Sequence, residues 1–212
     1  MVRVRGMVVG AAAIAVAVML CGCVASSPGG DGSPLGPLQR AIIRNSIIDS
    51  KWSQVAAEYP EALQPKITMA PTVSDHNWAP AIVKCLKTAG IVAYIENGAP
   101  IYGSAGQTPL EVAVTFYACE VGHPSESQVA AHLTRAQSGA LYDYYLQVVR
   151  PCLLAAGAPS PASPDRSAAA SLAGIAGWNP YQVIWTSSMA ATTQAYLEQR
   201  CPPTPAWLNL ER

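Results

Sequence analysis

The sequence predicts a mainly α-helical domain with one small β-hairpin, an α+β arrangement of two similar disulfide-stapled helical halves. Three observations predict it. Apolar residues recur at three- and four-residue spacing along most of the chain. One Asn-Gly pair, Asn97-Gly98, separates two short apolar runs. The pattern Cys-Leu-x-x-Ala-Gly occurs twice, at Cys85–Gly90 and Cys152–Gly157, and each copy is followed by one further cysteine.

The first segment reads as a targeting signal, not as part of the fold. Arg3 and Arg5 precede an uncharged run whose apolar core, Met7 to Leu20, is 14 residues long. A membrane span needs about 20, so this length suits a signal-peptide core. Leu20-Cys21-Gly22-Cys23 resembles the lipobox of bacterial lipoproteins, which makes residues 1–22 the signal and Cys23 the lipidated first mature residue. Taking Cys21 as the lipid site would put bulky Leu20 directly before it, against that pattern. An uncleaved anchor is the alternative, because the uncharged stretch from Gly6 to Ala25 could just span a thin bilayer.

Residues 23–37 are rich in Gly, Ser and Pro and read as a flexible tether. The remainder, 38–212, is expected to be a single extracytoplasmic domain with candidate halves 38–124 and 125–212. Removing residues 1–22 takes two arginines from the 13 basic residues, leaving 11 against 13 acidic. That balance excludes a polybasic lipid binder and gives no electrostatic case for nucleic acid.

Within the domain, Leu38, Ile42, Ile48, Trp52, Val55 and Tyr59 predict a helix over 38–59, stopped by Pro60. A short extended piece is expected near Lys66–Met69. Asn77-Trp78-Ala79-Pro80 opens a second helix, whose stripe of Trp78, Ile82, Cys85, Leu86 and Ala89 ends at Gly90. The hairpin follows. Thr108, Pro109 and Glu111 form a capping box for a third helix running to about Glu120, and Ser125 with Gln128 repeats that signal for a short one.

The segment from Gly139 to Gly157 is the strongest amphipathic helix, with Leu141, Tyr145, Val148, Val149, Cys152, Leu153 and Ala156 on one face. Pro151 should kink it, since the bond to the Gln147 carbonyl is lost. A helix started by Ser163-Pro164, the aromatic turn Gly177–Tyr181 and a last helix over Ser188–Arg200 complete the order.

Cys85, Cys119, Cys152 and Cys201 allow three pairings. The repeated pattern favours Cys85–Cys119 and Cys152–Cys201, one bridge per half, and export makes oxidation expected. A metal site is disfavoured because no pair has C-x-x-C spacing and the cysteines lie on apolar stripes.

A Trp before a C-L-x-x-A-G helix, a hairpin, a helix ending in Cys, then LYDYY, PCL, PDR, W-N-P-Y and a final C-P resembles a group of small uncharacterised actinobacterial lipoproteins over Trp52 to Cys201. The resemblance implies secretion, lipidation and the four-cysteine framework; it assigns no activity. The Ala-rich stretch around Ala168–Ala176 departs from the aromatic residues it implies there.

Catalytic signatures are thin. His76, His123 and His132 lack the i, i+4 spacing of a helical metal pair, and no G-x-S-x-G elbow occurs. Ser104, His123 and Asp143 could be assembled into a hydrolase only by arbitrary choice. No catalytic residue, metal or cofactor is assigned. The aromatic residues offer more: Tyr142 and Tyr144 lie off the main stripe, and Trp178 and Tyr181 sit in the aromatic turn. Together they are a candidate ligand platform, with core packing as the competing role in a chain that has one phenylalanine. The expected function is a membrane-anchored, extracytoplasmic binding or interaction module of the cell envelope. Its partner would be an envelope protein or a cell-wall ligand. The alternatives are an envelope enzyme acting on cell-wall material and a structural envelope component.

Overall fold

The computed structural model describes residues 35–104, 106–166 and 178–211. The signal, Cys23, the tether up to residue 34 and the Ala-rich stretch lie outside them. The helix expected from Ser163-Pro164 also runs into residues 167–177, outside the described ones.

The described chain is mainly helical with one hairpin, as its periodicity requires. Helix α1 (Pro37–Glu58) starts on a proline, whose fixed φ suits the first turn, and stops before Pro60. Helix α2 (Asp75–Thr88) begins two residues before the expected Asn77. Ser74 caps it by accepting from the Asn77 N–H, Asp75 complements the helix dipole, and Pro80 is carried inside the second turn. The expected extended piece at Lys66–Met69 forms no strand. Just after it, Val73 makes a parallel bridge to Ser125.

Strands β1 (Val92–Glu96) and β2 (Ala99–Gly103) pair antiparallel, with Tyr94 opposite Ile101. The connecting Asn97 and Gly98 both have positive φ, which a two-residue hairpin turn demands. Helices α3 (Pro109–Gly122) and α4 (Glu126–Ala130) carry the two expected capping boxes. A third such box, Thr134 with Gln137, opens α5 (Arg135–Tyr144) four residues ahead of the expected Gly139.

Pro151 is accommodated by a π-helical turn, Tyr145–Val149, in which the Arg150 N–H reaches back five residues to the Tyr145 carbonyl. The wider turn makes room where a proline ring would crowd the carbonyl of Gln147, and α6 (Arg150–Ala155) continues beyond it. It also shifts the phase of the buried face. Tyr142, expected off the stripe, is buried, and Val148, expected on it, is half exposed. Helices α7 (Gln182–Trp185) and α8 (Ala191–Arg200) and a 3₁₀ turn at Ala206–Leu208 follow. The last helix therefore starts at Ala191 instead of Ser188.

Both disulfides have the expected pairing, Cys85–Cys119 and Cys152–Cys201, each with 5.7 Å between Cα atoms. The repeated pattern folds the same way twice. Gly90 and Gly157 adopt positive φ, and Ile91 and Ala158 donate to the carbonyls of Leu86 and Leu153. Each is a Schellman turn whose leucine is fully buried beside the bridging cysteine.

The described residues form three apolar clusters. One joins α2, β1 and α3 around Ile82, Leu86 and Cys119. A second gathers Tyr145, Leu153, Trp178, Tyr181 and Leu197. The third rests on Ile43 and Ile47 of α1 and includes Tyr117, Val129, Leu208 and Leu210. Residues from beyond position 125 thus complete the cluster beneath α1. The side-chain amides of Gln39 and Gln137 add a reciprocal hydrogen-bond pair between α1 and α5, at 2.9 and 2.7 Å.

Candidate functional site

The aromatic platform expected from the sequence is corrected by burial. Tyr142, Trp178 and Tyr181 are 4%, 7% and 0% exposed. Tyr142 donates its hydroxyl to the Pro164 carbonyl, 2.6 Å away. Tyr181 reaches the Leu197 and Cys201 carbonyls at 2.7 and 2.6 Å, tying α7 to the end of α8. Tyr142 and Tyr145 pack their rings against Trp178. With both tyrosine hydroxyls bonded internally and all three rings buried, these residues are core. Tyr144 alone stays partly exposed, and it donates to the Pro202 carbonyl.

Two of the three hydrolase candidates, Asp143 and His123, are engaged elsewhere. Asp143 pairs with Arg166 at 2.7 Å, and His123 Nδ1 lies 3.0 Å from the Cys119 carbonyl of its own helix. The ring of His76 stacks on Trp185 with 5.2 Å between centroids. Glu58 and Glu61 are solvent-exposed.

The strongest site geometry lies at the junction of α2, α3 and α4. The segment after α1 runs alongside the end of α3: Ala70 N–H donates to the Gly122 carbonyl and Val73 N–H to the Pro124 carbonyl. The Glu126 N–H returns to the Val73 carbonyl, fixing the start of α4 against this segment. A cleft of about 320 Å³ opens here, lined by Asp75, Trp78, Glu120, Ser125, Ser127 and Gln128. Asp75 Oδ1 accepts the Ser127 N–H at 3.1 Å, and the Ser125 and Ser127 hydroxyls are also 3.1 Å apart. Glu120 on the opposite wall is held by Lys51 of α1. The buried indole Nε1 of Trp78 has no hydrogen-bond partner among the described residues.

Beneath that cleft lies a buried acid. Glu126 is 4% exposed and accepts a short hydrogen bond from the phenol of Tyr145, the first residue of the π turn. Burial raises the Glu126 pKa to about 8; the Tyr145 bond opposes the shift and the charge of Asp75 adds to it. The acid is therefore largely neutral at pH 7. Burial also holds the Tyr145 phenol well above its ordinary range, reinforced by Glu126.

The sequence carries no local sign of this pair. Glu126 stands at the first position of a capped helix, where a glutamate ordinarily faces water and complements the dipole. Its burial comes from Val73 and Tyr145, which converge on it from elsewhere in the chain.

Comparison with protein-family models, with curated proteins and with solved structures found no match to this chain. The cleft offers carboxylate and amide acceptors and hydroxyl donors in a concave wall, an arrangement suited to holding a small polar ligand.

Proposed function

We propose that the protein is a lipid-anchored extracytoplasmic binding module of the cell envelope, with Cys23 as the lipidated residue and the cleft at Asp75, Glu120 and Ser127 as the ligand contact. It would belong with the small actinobacterial lipoproteins that its motif order resembles. The observation that carries the reading is the disulfide pair, because Cys85–Cys119 and Cys152–Cys201 consume all four domain cysteines and such bridges persist in oxidising compartments. The Leu20–Cys23 sequence supplies the anchor, and the Gly/Ser/Pro-rich run after it supplies the reach.

Two measurements in cells of the source organism test this. The Cys23→Ala chain should leave the membrane fraction, and the wild-type N-terminal peptide should carry diacylglycerol mass on Cys23. A photocrosslinking residue in place of Ser127 should recover an envelope protein or wall fragment that the same residue at exposed Glu61 does not. Identical recovery from both positions would remove the cleft from the proposal. The enzyme alternative would use the same cleft, and release of soluble fragments from isolated cell wall by the purified protein would favour it.

A further inference from the structure

The hairpin is the least expected surface of the molecule. In a two-stranded sheet packed on one side, the outward positions are ordinarily polar. Here the register places Val92, Tyr94 and Ile101 on the face opposite buried Ala93. Val92 is 59% exposed and Tyr94 52%, while Ile95 and Tyr102 at the other face remain 47% and 37% exposed. Between positions 92 and 103 the only carboxylate is Glu96 at the turn, and there is no lysine or arginine. Nothing among the described residues covers this patch, whose inner side is already fixed by α2 and by stacking of Tyr102 on Phe116 at 4.6 Å.

The chain itself limits what can cover it. Leu35, the first described residue, lies twelve chain steps after Cys23, a distance of at most about 40 Å when fully extended. A domain of this size is itself roughly 40 Å across, so a lipid on Cys23 keeps every face within reach of the bilayer and leaves the orientation to the surface that partitions best. Tyrosine suits that boundary, with an apolar ring and a hydrogen-bonding tip. The unpaired backbone groups on both strand edges forbid the hydrocarbon core and limit contact to the headgroup layer.

We propose that the outer face of the hairpin, Val92, Tyr94 and Ile101, rests on the bilayer surface and orients the domain on its membrane. This rests on the lipid-anchored reading above and specifies the partner of a second, separate surface. The test reconstitutes the mature protein on vesicles of equimolar phosphatidylcholine and phosphatidylglycerol containing a phospholipid with a photoactivatable group near the glycerol. Labelled peptides are then mapped by mass spectrometry. The expected result is label concentrated in residues 92–103, reduced about tenfold in the Val92→Ser/Tyr94→Ser chain. That chain should keep both disulfides and its melting temperature, because the two side chains are more than half exposed. Label confined to residues near the anchor or on α1, or unchanged in the variant, overturns the inference. The same spectra report the mass on Cys23, so loss of the anchor reading is seen separately. An unlipidated chain is scored on the same vesicles, and absence of hairpin label overturns the inference there too. Capture of a protein by a photocrosslinker at Tyr94 on intact cells, without lipid label, also overturns it.

Discussion

Replacing Glu126 by Gln isolates the cost of the buried acid. The amide keeps the shape and can still accept from the Tyr145 hydroxyl, but it cannot ionise. In the folded protein the Glu126 pKa is raised to about 8 from an ordinary 4.5. The native state therefore binds this proton more tightly than the unfolded chain does. Its stabilising effect is complete below pH 4.5, declines through the interval and is lost above pH 8. At about 1.36 kcal/mol per unit, the swing is on the order of 5 kcal/mol, with most of it already spent by pH 7. Denaturant unfolding of both proteins with disulfides intact, at intervals from pH 4 to pH 9, reads this directly. The variant should be indifferent to pH in this interval where the wild type weakens, so it should be the more stable protein at pH 9. Parallel curves for the two proteins would refute the reasoning, since they would mean that a compensating cation holds Glu126 ionised.

Tyr145→Phe removes the hydrogen bond that favours the charged form of Glu126, so the decline in stability should extend to higher pH, measured by the same unfolding series. Opening the second bridge with Cys152→Ser and Cys201→Ser frees a loop spanning 49 residues; the chain-entropy cost is about 4 kcal/mol, read as a fall in the denaturation midpoint. Tyr181→Phe leaves the Leu197 and Cys201 carbonyls without their shared donor and should cost about 1–3 kcal/mol in thermal stability. It should leave crosslinking from position 127 unchanged, because Tyr181 lies in a different cluster from the cleft.

What was legible in the sequence is mostly what local chemistry decides. Thr108 with Glu111, and Ser125 with Gln128, mark helix starts because an orphan N–H needs an acceptor three residues away. The cysteine pairing was legible through repetition, since two equal helix ends present their thiols in the same way. The start of α5 was available in the Thr134–Gln137 spacing, although the apolar stripe suggested Gly139. Pro151 announced a disturbance but not its form, because a kink and a π turn both relieve the clash with Gln147. The aromatic residues were ambiguous by nature: tyrosine and tryptophan serve equally on a surface or in a core short of phenylalanine. Only the convergence of α5, α7 and α8 puts Tyr142, Trp178 and Tyr181 inside. Glu126 was illegible for the same reason, since long-range packing decides whether a capped glutamate meets water.

Leu208 and Leu210 lie in one cluster with Leu35, Ile43 and Ile47, and Thr72 bonds both the Leu208 carbonyl and the Asn209 side chain. The chain thus fastens positions more than 160 residues apart with its last apolar side chains. Synthesis from the N-terminus presents α1 long before these leucines. Helix α1 therefore keeps this part of its apolar face unsheltered until residues 208–210 emerge. Maturation of the α1 cluster is consequently timed by the arrival of residues 208–210, and any holding factor met earlier would have α1 as its client.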